Sequence, residues 1–233
     1  MTRDQPEGPK MIACEALADH SVVVPVPGAW LNGSHCRPED ARGLVLIGFG
    51  ADTSPRGRKG QTLARDLNGG GLATLLVDLL EEEERDDPKT AFDSNLLTER
   101  WAAITEWLRY SSPYAGWNVG LYAWGVPAAG ALMAAARKPE NVQAVVSRNG
   151  RADLAENWLP LVEAPTLFLV DTRADDLVEV NRRAVILMDS AWKLVELADE
   201  YHPGDIAEAR GSRANILART WFLRNLRCGD SWE

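Results

Sequence analysis

The chain is poor in the residues that staple small folds or bind metals. Its three cysteines (Cys14, Cys36 and Cys228) are an odd number, widely spaced, with no C-x-x-C pair. That excludes a disulfide-dense scaffold and predicts reduced thiols in a cytoplasmic protein. The three histidines, His20, His35 and His202, have no paired spacing that would suit zinc. No apolar run reaches the roughly 18 residues of a membrane span. The first twenty residues hold acids and prolines instead of the apolar stretch of a signal peptide. Asn32-Gly33-Ser34 matches a glycosylation acceptor, which means nothing in a chain that is not secreted. Positive charge is also in deficit. With 25 Lys and Arg against 34 Asp and Glu the net charge is −9, so neither nucleic acid nor an anionic membrane is an expected partner. A small-molecule substrate is expected, with no cofactor and no metal.

What the chain does have is size and pattern. Its 233 residues, 45% hydrophobic and 25% charged, suffice for one large α/β domain. Residues 1–20 read as a polar lead-in and 21–228 as that domain. Nine tryptophans outnumber the four Phe and four Tyr. Most are expected in the core; Trp124 is the exception.

Ser21 to Val26 and Ala29 to Cys36 read as strands joined at Pro27-Gly28, a hairpin signal. Leu44 to Ile47 is an apolar strand of the buried, parallel kind, running into the small-residue loop Gly48 to Ser54. Gln61 to Leu67 reads as a helix stopped by Gly69-Gly70-Gly71. Because those glycines follow a helix and not a strand, they are not a phosphate loop. Leu72 to Leu80 is the next strand, and the acidic run Glu81 to Asp87 reads as a solvated loop. A helix capped by Asp93 or Ser94 runs to Tyr110, with Leu97, Trp101, Ile104 and Leu108 on one face. Further strands are expected at Val119 to Ala123, Val142 to Val146, Thr166 to Val170 and Lys193 to Leu197. Helices are expected from Pro127 to Arg137, at Asn181 to Met188, and over 206–226. Alternating strands and helices after a hairpin give a mostly parallel sheet covered on both faces.

One stretch organises the rest. Val119 to Ala123 enters Trp124-Gly125-Val126-Pro127, and an alanine-rich helix follows. Strand, sharp turn and helix make the context of a nucleophile elbow, G-x-S-x-G, but the serine position holds Gly125. Together with Gly71 to Asp78, Ala144 to Arg148, Ala164 to Leu167 and the late His202, this order resembles the α/β-hydrolase superfamily. It is most similar to the dienelactone-hydrolase-like branch, over roughly residues 21–226.

The resemblance implies a fold and a pocket with an altered catalytic set. The nucleophile falls on Gly125, the histidine that often follows the first long strand falls on Phe49, and the general base falls on His202. The acid falls on Ala174 without gaps and on Asp175 with a shift of one residue; both alignments stay open. Val126 keeps its backbone N–H, and the backbone near Phe49, Gly50 or Ala51 would supply the second oxyanion donor. Phe49, Asp52, Trp124, Gly125 and Tyr201 would line the substrate cavity, or the aromatics would instead fill space left by lost catalytic groups. Asp171 and Asp176 read as solvated loop acids. The expected activity is non-hydrolytic: proton transfer with oxyanion stabilisation on a small aromatic or polyketide-like molecule. Two alternatives stand beside it. One is an inactive binding protein; the other is a residual esterase or lactonase using water activated by His202.

Overall fold

In the computed structural model of the chain, the described residues are 21–51, 58–110, 112–198 and 212–226. Strands β1 (Ser21–Val26) and β2 (Ala29–Cys36) form the predicted hairpin, turning where Gly28 takes φ +79. The other strands are β3 (Leu44–Phe49), β4 (Ala73–Asp78), β5 (Val119–Trp124), β6 (Ala144–Arg148), β7 (Thr166–Asp171) and β8 (Trp192–Leu197). They join the hairpin in one eight-stranded sheet of order β1-β2-β4-β3-β5-β6-β7-β8. The β1–β2 and β2–β4 pairings are antiparallel, and every later pairing is parallel.

The burial pattern explains the run-on apolar strands. β3 and β7 are buried at every position, because helices cover both faces of the sheet. On one face α1 (Arg58–Asn68) and α7 (Arg213–Asn225) cover Val45, Ile47, Phe49, Tyr122, Val146 and Leu167. On the other, α4 (Ser94–Tyr110), α5 (Gly125–Arg137) and α6 (Asp175–Ile186) build a larger core with the 3₁₀ segment Ala152–Leu161. The predicted stripe on α4 holds, with Leu97, Trp101, Ile104 and Leu108 all fully buried.

Several boundaries differ from expectation, each for a local reason. The acidic run is not simply a solvated loop: Glu82–Asp86 form a short helix, α2, and Pro88–Ala91 another, α3. A capping box between Glu81 and Glu84 satisfies the first N–H groups of α2, and Glu84 also pairs with the buried Arg100 at 2.7 Å. Helix α6 begins at Asp175, six residues before the predicted Asn181. Its two leading aspartates look like loop residues, yet acids suit a helix N-terminus. Strand β6 lies two residues later than predicted, since Val142 caps the 3₁₀ turn Pro139–Asn141 by donating its N–H to Pro139 O. Cys36 is disulfide-bonded, which corrects the reading of three reduced thiols; Cys14 and Cys228 both lie outside the described residues. Among the tryptophans expected in the core, Trp30 is 67% exposed on the hairpin and Trp192 is also exposed. No described helix is long and apolar enough to cross a membrane.

Candidate active site at the end of strand β5

Parallel strands bring their C-terminal ends to one edge of the sheet, and α5 starts there. Gly125 is the first residue of α5 and takes φ +57, a left-handed conformation that favours glycine. Among the described residues, a Cβ added at Gly125 would meet nothing within 4 Å. The elbow keeps its turn, and no described atom stands where a side chain would project. The helix begins at Gly125 and not, as expected, at Pro127; the proline lies two residues in, where a first-turn N–H has no helical partner to lose.

The backbone around this turn is pinned from both sides. Arg151 N–H donates to the Gly125 carbonyl at 3.1 Å. Val126 N–H belongs to the same peptide and points the opposite way, as a trans peptide requires. On the β3 side, Gly50 packs against the helix's first turn so closely that a Cβ there would stand 2.7 Å from Pro127 Cγ. Trp101 Nε1 in turn donates to Pro127 O at 3.0 Å. The two predicted sources of oxyanion donors, Val126 and the Gly50–Ala51 segment, are therefore neighbours. Gly50 is buried, while Val126 and Ala51 are half-buried.

The aromatics form a stack beside the turn. Phe49 and Trp124 lie face to face with centroids 5.4 Å apart and 24° between planes, and Tyr122 tilts against Trp124 at 4.5 Å. Phe49 is only 1% exposed, so it supports the platform from within, and half-buried Trp124 carries the accessible surface. The backbone of Asp175 opens α6. Its side chain, and all of Asp52, Tyr201 and His202, lie outside the described residues.

Sequence reasoning gave no role to the neighbours that complete this edge. The register pairs Trp124 with Arg148 and Arg148 with Leu169, setting a guanidinium-bearing residue beside the platform. The two-residue shift of β6 hid it. Asp171, read from sequence as a solvated loop acid, ends β7 and is buried. Its carboxylate accepts from Arg173 Nε at 3.0 Å and from an Arg173 terminal nitrogen at 2.6 Å. That pairing, helped by the Arg173 backbone N–H and by the charges of Arg173 and Arg148, lowers its pKa to about 2. Asp171 is thus a fixed, ionised partner of arginine. Among the described residues no group of His, Cys, Asp and Glu is arranged to hold a metal ion.

Strand order, elbow and helix layers define an α/β-hydrolase fold. A solved dienelactone hydrolase from Anabaena variabilis is 35% identical, spans 89% of this chain and 98% of its own, and superposes with a TM-score of 0.79. The chain belongs to the dienelactone hydrolase family. An alpha-beta serine hydrolase homologue from Coxiella burnetii is 16% identical with a TM-score of 0.68 over 89% of this chain and 97% of its own, a likeness of fold alone. No family profile matches the chain. Two curated relatives from Mycobacterium tuberculosis strains carry the name "putative phosphoribosyl transferase" and are 37% identical over 218 residues. That match covers 91% of this chain, but the chain spans only about half of their length, 48%.

Proposed function

We propose that this family member uses the elbow site without a covalent acyl intermediate. The site would bind a small, flat aromatic or polyketide-like molecule and stabilise its enolate or phenolate. The observation that carries the reading is Gly125, with its left-handed turn conformation kept, no described residue within 4 Å of where a side chain would start, and no side chain to attack a carbonyl. In this reading Gly125 stands where hydrolytic relatives place the catalytic serine.

Each part has a task. Val126 N–H and a donor from Gly50 or Ala51 face the developing oxyanion. The accessible face of Trp124, backed by Phe49, stacks on the substrate ring. His202, oriented by Asp175, moves the proton, so that the reaction is a cyclisation, conjugate addition, carbon–carbon bond formation or elimination. The phosphoribosyl transferase activity in the relatives' name we assign to the half of those proteins that this chain does not span, since the fold of the described residues accounts for a hydrolase-like unit.

Tryptophan fluorescence tests the reading. A panel of polycyclic aromatic and polyketide metabolites should include members that quench saturably at micromolar concentration, with binding weakened about tenfold in Trp124→Ala. Activated esters should show no burst of product release. Absence of binding across the panel, or a burst with the wild-type chain, would overturn it.

A further inference from the structure

The turn after β6 is held from several directions, and the contacts converge on the elbow. Asn149 takes φ +46; its Oδ1 accepts from Asp171 N–H at 2.8 Å, and its own N–H donates to Leu169 O at 2.8 Å. Both bonds fix the turn to the end of β7. The next carbonyl, Gly150 O, accepts from Asn181 Nδ2 on α6 at 2.9 Å. Gly150 sits so tightly that a Cβ there would stand 2.1 Å from Ser147 Oγ and 2.9 Å from Ala128 Cβ on α5. Only glycine fits this approach. The residue after it, Arg151, donates its N–H to Gly125 O.

Asn181 is an unusual choice for its position. It is fully buried, and its Oδ1 accepts no hydrogen bond from any described residue. A buried amide left half satisfied is unfavourable, and a leucine of similar volume would avoid that penalty. What a leucine cannot do is donate. Asn181 Nδ2 makes two bonds, to Leu177 O of its own helix at 2.8 Å and to Gly150 O, and only the second ties α6 to the turn behind the elbow.

The Gly125 carbonyl and the Val126 N–H share one planar peptide, so whatever fixes the carbonyl fixes where the N–H aims. We infer that Asn181 is a positioning residue for the oxyanion site: acting through Gly150 and Arg151, it orients the Gly125–Val126 peptide so that Val126 N–H faces developing negative charge. The inference rests on the reading of Val126 as an oxyanion donor. It adds that the donor is set by a side chain on the helix that Asp175 opens, so proton-handling and oxyanion parts share one support.

The test separates an oriented donor from a mere structural brace. Naphthols with electron-withdrawing substituents, ionised at neutral pH, are titrated against the full chain by tryptophan quenching, alongside naphthalene, which carries no charge. Wild type should bind the naphtholates about tenfold or more tighter than naphthalene, as a charge-assisted hydrogen bond allows. Asn181→Leu should reduce that preference several-fold while naphthalene binds as before. Gly150→Ala, which pushes Ser147 and Ala128 away from the turn, should act in the same direction and provides the test if Asn181→Leu fails to fold. Equal weakening of both ligands means a brace only, and an unchanged preference means no positioning role; either overturns the inference while leaving the oxyanion reading in place. A wild-type chain that does not prefer naphtholates overturns that reading and the inference with it.

Discussion

Gly125 and Asp171 show how much one position decides at this edge of the sheet. No described residue stands within 4 Å of a Cβ at Gly125, so the described residues leave room for a serine side chain, and the left-handed backbone sets its strain at about 1 kcal/mol. Gly125→Ser should therefore fold with slightly lowered stability and become labelled by a fluorophosphonate, a reagent wild type ignores. A folded variant that resists labelling would mean the elbow no longer activates a nucleophile. Asp171 carries a pH signature. Its pKa of about 2 lies below the unfolded value of about 3.9, so its contribution is complete above pH ~4 and is lost as pH falls toward 2. Because Arg173 is about half exposed, solvent screening limits the contribution to about 1 kcal/mol. Denaturant melts of Asp171→Asn should show a deficit of that order at neutral pH that shrinks below pH ~3. A deficit constant with pH would refute the assignment.

At the scale of elements, the elbow depends on α4 as much as on its own strand. Trp101 is fully buried, and its ring lies where a Cβ on Gly48 would be 2.3 Å away. It also ties Pro127 O in the first turn of α5. Trp101→Phe loses that bond and part of the packing, a destabilisation of about 1–3 kcal/mol by chemical denaturation. Trp107→Phe, half-buried on the same helix, should stay under about 1 kcal/mol. The same elements show where sequence is informative. The stripe on α4 was legible because one buried face leaves a helical period, the central strands because burial on both faces leaves an unbroken apolar run, and the hairpin by its Pro-Gly turn. The start of α6 was not, since aspartates serve equally in loops and at helix N-termini. Nor were Arg148 and Asn181, whose roles depend on strand register and on a contact between distant segments. Gly125 was legible as a turn residue; that no described residue crowds the space beside it is a tertiary fact.

At the scale of the molecule, the site lies at the end of the sheet where all parallel strands finish, and the antiparallel hairpin forms one lateral edge of that sheet, with β4 and β3 between it and β5. The hairpin carries a constraint of its own at Cys36, the last residue of β2. Thiol titration of the denatured, unreduced chain should count one free thiol where sequence alone predicts three. Three would remove the crosslink, and the reading of its cysteines would return to that of a reduced chain. With the crosslink present, reductant should lower the unfolding midpoint, since a closed loop restrains the unfolded ensemble.

Gly125 also has a meaning in the genetic code. A glycine codon ending in a pyrimidine becomes a serine codon by one transition at its first base. In a gene using such a codon, the described residues leave room for that neighbour, since the turn is kept and none of them stands within 4 Å of the added Cβ. On the proposed reading of the elbow, the distance from this chain to one with a serine at the nucleophile position is then one replication error. A randomly mutagenised population selected for ester cleavage would be expected to cross it at position 125 before anywhere else.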